Sequence, residues 1–323
     1  MTTDNADARK LKLAVALKSQ VADDIYMFEL RNPSGGELPA FTPGSHITVT
    51  TPGGQKRRYS LCNDSQERDR YVIAVKREGS GRGGSLSFTT DVKEGDEIEI
   101  EPPANEFEMS ASDPKTYIFI AGGIGITPIR SMIRHLARSG KTNFKLYYFT
   151  RTPSMMAFRD EFSSPEFAEN VILHHDEGDP DQAYDLWPVL GEQRGAHLYC
   201  CGPRGLMDAV RDMTGHWPDS AVHFEDFVGA TSNRAEDTAF VVNLAKSGKK
   251  YEVQAGVSIL DTLRQHGHVL PSSCESGTCG TCRTHYISGE PDHRDLVLSE
   301  REKRSEIMIC VSRSKSPEIT IDV

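Results

Sequence analysis

From Leu11 to about Pro103, apolar residues come in short runs that alternate with polar ones and are broken by Gly, Pro and Asn. Ile25–Leu30, His46–Thr50, Arg58–Leu61, Tyr71–Lys76 and Asp96–Ile100 are apolar or alternating in the manner of strands. The pattern predicts a small antiparallel β-barrel within residues 1–110. The texture then changes. Thr116–Ala121 is a continuous apolar run that enters a glycine turn, and Ile129–Ala137 takes up helical spacing. Runs at Phe144–Phe149, Val171–His174 and His197–Cys201 alternate with helical stretches near Phe158 and over Leu206–Met213. Strands alternating with helices imply a parallel sheet with crossovers, so 111–228 reads as an α/β domain.

Residues 229–238 hold small, polar and charged side chains with few apolar anchors, the composition of a linker. Beyond it, Phe240–Leu244 and Tyr251–Val253 flank Ser247-Gly248 as a hairpin, and Ile259–Gln265 has helical spacing. Strands near Thr284–Ile287, Met308–Val311 and Ile319–Ile321 complete a third, mixed domain over 239–323. The expected class is a multidomain chain.

Composition changes this picture little. Apolar content of 37% and charged content of 26% are ordinary for a soluble protein, and no run approaches a membrane span. The start Met1-Thr2-Thr3-Asp4-Asn5 lacks the basic and apolar regions of a signal peptide, so the expected compartment is the cytoplasm, without membrane attachment. A formal net charge of −10 argues against general nucleic-acid binding, which relies on clustered Lys and Arg.

The chemistry is clearest in the third domain. Cys274, Cys279 and Cys282 stand at C-x4-C-x2-C spacing with Cys310 downstream, the plant-type pattern for a [2Fe–2S] cluster. Small residues, among them Ser272, Gly277 and Gly280, let the loop close around the irons. A structural zinc site would ask for a second short hook beside Cys310, and seven cysteines is an odd count for a disulfide framework. Such a cluster moves one electron at a time, so something else in the chain must feed it.

In the β domain, Arg57-Arg58-Tyr59-Ser60 begins a strand and Arg82-Gly83-Gly84-Ser85 opens a short helix. A glycine turn at a helix N-terminus gathers free N–H groups, an arginine adds a bidentate partner for a phosphate, and a tyrosine offers its face to a flat ring. Together they suggest flavin mononucleotide. In the α/β domain, Gly122-Gly123-Ile124-Gly125-Ile126-Thr127-Pro128 follows a buried strand, with Thr127 suited to the helix N-cap and Pro128 to the first helical position. Pro128 stands where the dinucleotide fingerprint would have its last glycine. Tyr199-Cys200-Cys201-Gly202-Pro203 brings a second turn to the same sheet edge, where open α/β sheets bind ligands. Cys201 is either a small buried thiol or a neighbour of the ligand. His174 and His175 point to opposite faces of a strand and do not converge on a metal. Asp176 is placed to reach a ribose hydroxyl, Thr150 and Arg151 close the preceding strand, and Phe227 is either core or a lid.

In this order the three segments resemble the FMN- and [2Fe–2S]-containing reductases of Rieske-type aromatic oxygenases, over nearly the whole length. Arg58-Tyr59-Ser60-Leu61-Cys62-Asn63-Asp64 and Pro271-Ser272-Ser273-Cys274-Glu275-Ser276-Gly277-Thr278-Cys279-Gly280 carry the likeness. The resemblance implies a flavin barrel, a ferredoxin-reductase-like nucleotide domain and a β-grasp ferredoxin domain. It implies that Arg57, Tyr59 and Ser60 hold FMN, that the backbone of Ala74, Val75 and Lys76 lines its ring, and that Gly83, Gly84 and Ser85 take its phosphate. Thr127 would sit near the flavin and Phe227 beside it. The dinucleotide would lie across Gly123, Gly125 and Cys201-Gly202-Pro203, with Thr150, Arg151 and Asp176 toward its far end and Cys201 beside the nicotinamide. Cys274, Cys279, Cys282 and Cys310 would hold the cluster. NADH is the implied donor and a separate terminal Rieske-type oxygenase the implied acceptor, either a dioxygenase or an aryl-ether-cleaving monooxygenase. A plain iron–sulfur carrier, its first two domains serving only to dock, is the reading from another class.

Overall fold

A computed structural model describes residues 10–79, 83–227, 237–272, 277, 280–295 and 297–323. The chain forms two compact units, Met1–Asp226 and Phe227–Val323.

The first unit opens with β1 (Leu11–Ala22), β2 (Ile25–Arg31), β3 (Ser45–Thr50), β4 (Lys56–Ser60) and β5 (Tyr71–Lys76), then helix α1 (Gly84–Asp91), β6 (Glu97–Ile100) and the two-residue β7 (Ala104–Asn105). The strands pair antiparallel in the order β4-β3-β6-β1-β2-β5, and a bridge between Leu61 and Ile73 joins the end of β4 to β5, closing the path. Closure leaves these edges paired. Leu13, Phe28, Leu30, Ile47, Leu61 and Ile73 fill the interior, with Phe88 of α1 laid on Phe28.

The α/β part runs β8 (Thr116–Gly122), α2 (Ile126–Arg138), β9 (Phe144–Thr150), α3 (Arg159–Phe162), β10 (Val171–His175), α4 (Trp187–Leu190), β11 (Ala196–Cys201), α5 (Arg204–Thr214) and β12 (Val222–Glu225). Its five parallel strands stand in the order β10-β9-β8-β11-β12. β8 is buried on both faces, which is why its sequence is a continuous apolar run. Tyr117, Phe119 and Ala121 share one core with α2, while Ile118 and Ile120 share the other with Met207 and Val210 of α5.

Barrel and sheet meet without a gap. Ile25, Ala74 and Phe107 belong to the same core as Ile126, Ile129, Met132 and Ile133 of α2. Arg130, buried, donates from Nη1 to the Cys62 carbonyl at 2.6 Å and pairs through Nε with Glu161 at 2.8 Å, and Ser131 Oγ donates to the Asn63 carbonyl at 2.8 Å. The carbonyls after the Arg-x-Tyr-Ser strand are thus held by the helix that follows the glycine turn.

The second unit contains β13 (Phe240–Leu244), β14 (Lys250–Val253), α6 (Ile259–Gln265), β15 (Arg283–Ser288), β16 (Pro291–Asp292), β17 (Glu306–Met308), β18 (Arg313–Ser314) and β19 (Glu318–Ile321). Its mixed sheet runs β14-β13-β19-β15-β17, with β13 and β19 parallel, and Ile259, Leu260 and Leu263 of α6 pack on it. Ser258 caps α6 by accepting the Asp261 N–H at 3.0 Å. Among the described residues no helix is long and apolar enough to cross a membrane.

Two expectations are corrected, and one strand is added. The helix after the glycine turn starts at Ile126 with Gly125 as its cap, because a 3-10 turn over Gly123–Gly125 runs straight into it; Thr127 is inside the helix, its hydroxyl donating to Ile124 O at 3.0 Å. Pro128 is tolerated there because N–H groups of the first turn have no intrahelical partner. The strand expected at Met308–Val311 is Glu306–Met308, followed by a turn closed by Ser312 N on Met308 O at 2.9 Å. The twelve-residue β1 was not among the strands picked out by pattern.

Candidate functional site

The barrel strand β4 delivers Arg57, Tyr59 and Ser60 along one edge. Arg57 lies against the start of α1: a Cβ on Gly84 would stand 2.6 Å from Arg57 Nε, so only glycine lets guanidinium and helix N-terminus approach this closely. Among the described residues no side chain caps that terminus, and Gly83 holds the left-handed conformation that turns the chain into the helix. Ser85 Oγ accepts the Glu78 N–H at 3.1 Å, tying α1 to the chain leaving β5. Arg82 lies outside the described residues.

Tyr59 packs its ring on Phe88 at 5.6 Å between centroids, and its hydroxyl is buried with no hydrogen-bond partner among the described residues. Burial raises the phenol above its usual range, so it stays a neutral donor. An orphaned buried hydroxyl costs stability unless a ligand takes it up. Tyr59→Phe should therefore stabilise the flavin-free protein by about 1 kcal/mol and raise its melting temperature. The same change should weaken flavin binding about fivefold. Calorimetry and fluorescence titration read the two opposite signs.

The C-terminal edge of the parallel sheet gathers the remaining positions. Asp176 follows β10, Thr150 and Arg151 end β9, Gly123 and Gly125 follow β8, and Cys201-Gly202-Pro203 ends β11. The two glycine turns are packed backbone to backbone. A Cβ on Gly125 would stand 2.2 Å from the Cys201 carbonyl oxygen, and one on Gly202 would stand 2.9 Å from the Gly122 Cα. Only glycine lets the two turns approach this closely at the ligand edge of the sheet. Cys201 presents its carbonyl to the turn, while its thiol is 0% exposed and pushed up by burial, with Glu225 adding to the shift. Thr127 is also buried. At the far end, Asp176 Oδ1 accepts the Gly178 N–H at 2.9 Å, and Glu177 N donates to Arg151 O at 2.9 Å. The histidines are structural: His175 Nδ1 meets Thr150 Oγ1 at 2.9 Å, and His174 Nε2 meets Gln182 O at 2.7 Å.

Glu225, at the end of β12, received no role from the sequence beyond its position. Ser60 Oγ donates to its Oε2 at 3.3 Å, so the flavin strand and the nucleotide edge come within hydrogen-bond reach. Burial pushes its carboxyl up to about 8, against the pull of Arg58 and the Ser60 hydroxyl. A carboxylate closing a parallel strand at the ligand edge was the available signal. The unfolded chain loses this proton near 4.5 and the folded chain near 8, so the folded state binds the extra proton between these values. Stability should fall as pH rises through that window. In Glu225→Gln this component should vanish, which thermal unfolding of flavin-free protein at mildly acidic and mildly alkaline pH measures.

In the second unit, Cys282 and Cys310 are both buried, and Cys310 lies in the turn after β17, which faces Arg283 across the Arg283–Met308 pair. Gly277 and Gly280 both have φ of 78°, the left-handed backbone of a tight loop. Cys274 and Cys279 lie outside the described residues. Phe227 begins this unit and is 36% exposed.

Three family descriptions match the chain: an oxidoreductase FAD-binding domain over residues 12–109, an oxidoreductase NAD-binding domain over 119–212 and a 2Fe-2S iron-sulfur cluster binding domain over 242–315. The chain is 52% identical to a phthalate dioxygenase reductase of Burkholderia cepacia over 100% of both chains. It is 52% identical to a phthalate 4,5-dioxygenase oxygenase reductase subunit of Pseudomonas putida over 96% of each. A solved structure of phthalate dioxygenase reductase, described as modular for electron transfer from pyridine nucleotides to [2Fe–2S], superposes with a TM-score of 0.89 at 52% identity, covering 97% of this chain and 98% of that one.

Proposed function

Since the chain belongs to the phthalate dioxygenase reductase family and is an NADH-dependent iron–sulfur flavoprotein oxidoreductase, we propose that its acceptor is a separate terminal Rieske-type oxygenase for a phthalate-type aromatic acid. Bound FMN would supply a two-electron acceptor for the hydride of NADH that can release electrons singly, and a [2Fe–2S] cluster a one-electron carrier to follow it.

The residues divide this work. Arg57 and the N–H groups from Gly83 to Ser85 hold the flavin phosphate, the backbone of Ala74, Val75 and Lys76 lines the ring, and Tyr59 donates its hydroxyl. Gly123, Gly125, Gly202 and Pro203 admit the dinucleotide, with Thr150, Arg151 and Asp176 at its far end. Thr127 and Cys201 form the floor beneath the nicotinamide, which is a positioning role, because a buried neutral thiol moves no proton at working pH. Cys274, Cys279, Cys282 and Cys310 hold the cluster.

What supports this reading is the 52% identity to reductases of two phthalate oxygenase systems, together with the Ser60–Glu225 hydrogen bond, which brings the proposed flavin strand within reach of the proposed nucleotide edge. Anaerobic NADH should bleach both flavin and cluster absorbance, and aromatic product should form when the protein is combined with a phthalate-type oxygenase. Turnover only with an aryl-ether-cleaving monooxygenase would reassign the partner, and colour indifferent to NADH would favour the plain carrier.

A further inference from the structure

Strand β1 does not keep its alternation. Leu13 and Val15 are buried on the barrel side, but the register against β2 shifts between Val15 and Leu17. A bulge of this kind re-aims the side chains that follow it. Leu17 is left 40% exposed, and Lys18 takes the position opposite Phe28, a residue of the barrel core.

The lysine put on that face reaches across to the end of a helix. Its Nζ donates to the carbonyls of Thr89 and Val92, both at 2.7 Å, where α1 ends. α1 has no basic residue in its own last turn and no acidic residue in its first. A cation at a helix C-terminus satisfies orphan carbonyls and complements the dipole, and this helix receives its cation from another strand. The ammonium also sits 5.6 Å from the Phe28 ring centroid and 5.8 Å from that of Tyr26. Phe28 contacts Phe88 at 4.9 Å, and Phe88 contacts Tyr59. The far end of α1 is thereby fixed, while its near end, led in by Gly83, stands beside Arg57.

We propose that Lys18 is a positioning residue for the flavin phosphate: it pins the C-terminal end of α1 so that the N–H groups at Gly83–Ser85 stay aimed at the anion. This rests on reading Gly83–Ser85 as the phosphate subsite. The test compares FMN with riboflavin, which lacks the phosphate, by fluorescence titration of flavin-free full-length protein. Lys18→Met should weaken FMN about fivefold and riboflavin less than about twofold, while Lys18→Arg, keeping charge and donors, holds FMN near wild type. Lys18→Gln carries the comparison should the methionine variant not fold. An unchanged ratio of the two affinities in the variant, whether both fall together or neither moves, overturns the proposal. Wild type binding both flavins alike would overturn the phosphate subsite itself, whatever the variants do.

Discussion

Cys310→Ser is expected to end electron delivery to one-electron acceptors. Cytochrome c reduction by NADH should drop on the order of 100-fold, to what flavin alone supports, while ferricyanide reduction through the flavin persists. Cys310 is 0% exposed, and the neighbouring Ile309 accepts the Leu260 N–H of α6 at 2.9 Å, so the turn that carries it is fixed from the helix side as well as the sheet side. A serine there should lose the thiolate and leave the fold of the unit standing. Iron analysis of the purified variant gives the decision: full iron content with an unchanged visible spectrum would remove Cys310 from the ligand set.

The second large effect lies where the ferredoxin unit begins. Asp237, 3% exposed in its side chain, accepts both terminal nitrogens of Arg294, Nη2 at 2.6 Å and Nη1 at 3.1 Å, and stands 3.7 Å from Arg313 Nε. Arg294 is also held by Asp292 through Nε at 2.7 Å, and Arg313 donates to the carbonyls of Val257, Thr238 and Gln254. Burial pulls the Arg313 guanidinium down and Asp237 opposes that pull. Asp237→Asn keeps the shape and removes the charge, leaving the two buried arginines with Asp292 as their remaining carboxylate among the described residues, so the unit should lose about 3–5 kcal/mol. Scanning calorimetry should show its transition moving well below that of the flavin unit. A shift of less than a few degrees would mean that water reaches these groups.

What could be read from the sequence follows from the range of the interactions involved. The cysteine spacing is local, and β8 is buried on both faces, so each shows as an unbroken sequence signal. α2 is equally plain, with Ile129, Met132, Ile133 and Leu136 repeating on one face. Its first turn was misplaced because Thr-Pro resembles a cap, whereas the observed start depends on a 3-10 turn wedged against Cys201 of another strand. β1 hid because of the very irregularity that lets it reach α1. The bulge breaks its period, and a lysine stands where an apolar residue would mark the core face. Glu225 showed in the sequence only by its place at a strand end and Asp237 not at all, since a carboxylate's environment is decided by partners 165 and 57 positions away. Pattern reading sees periodicity and not the charge that closes a distant pair.

The contacts of Arg130 and Ser131 with the Cys62 and Asn63 carbonyls have a kinetic consequence. Hydride transfer in this unit is expected not to wait on two lobes swinging together, because the chain just after Ser60 and the helix that starts at Ile126 are joined by these bonds and a shared core. Flavin reduction by NADH is therefore expected to change little as the solvent is thickened, which stopped-flow absorbance in glycerol buffers reads.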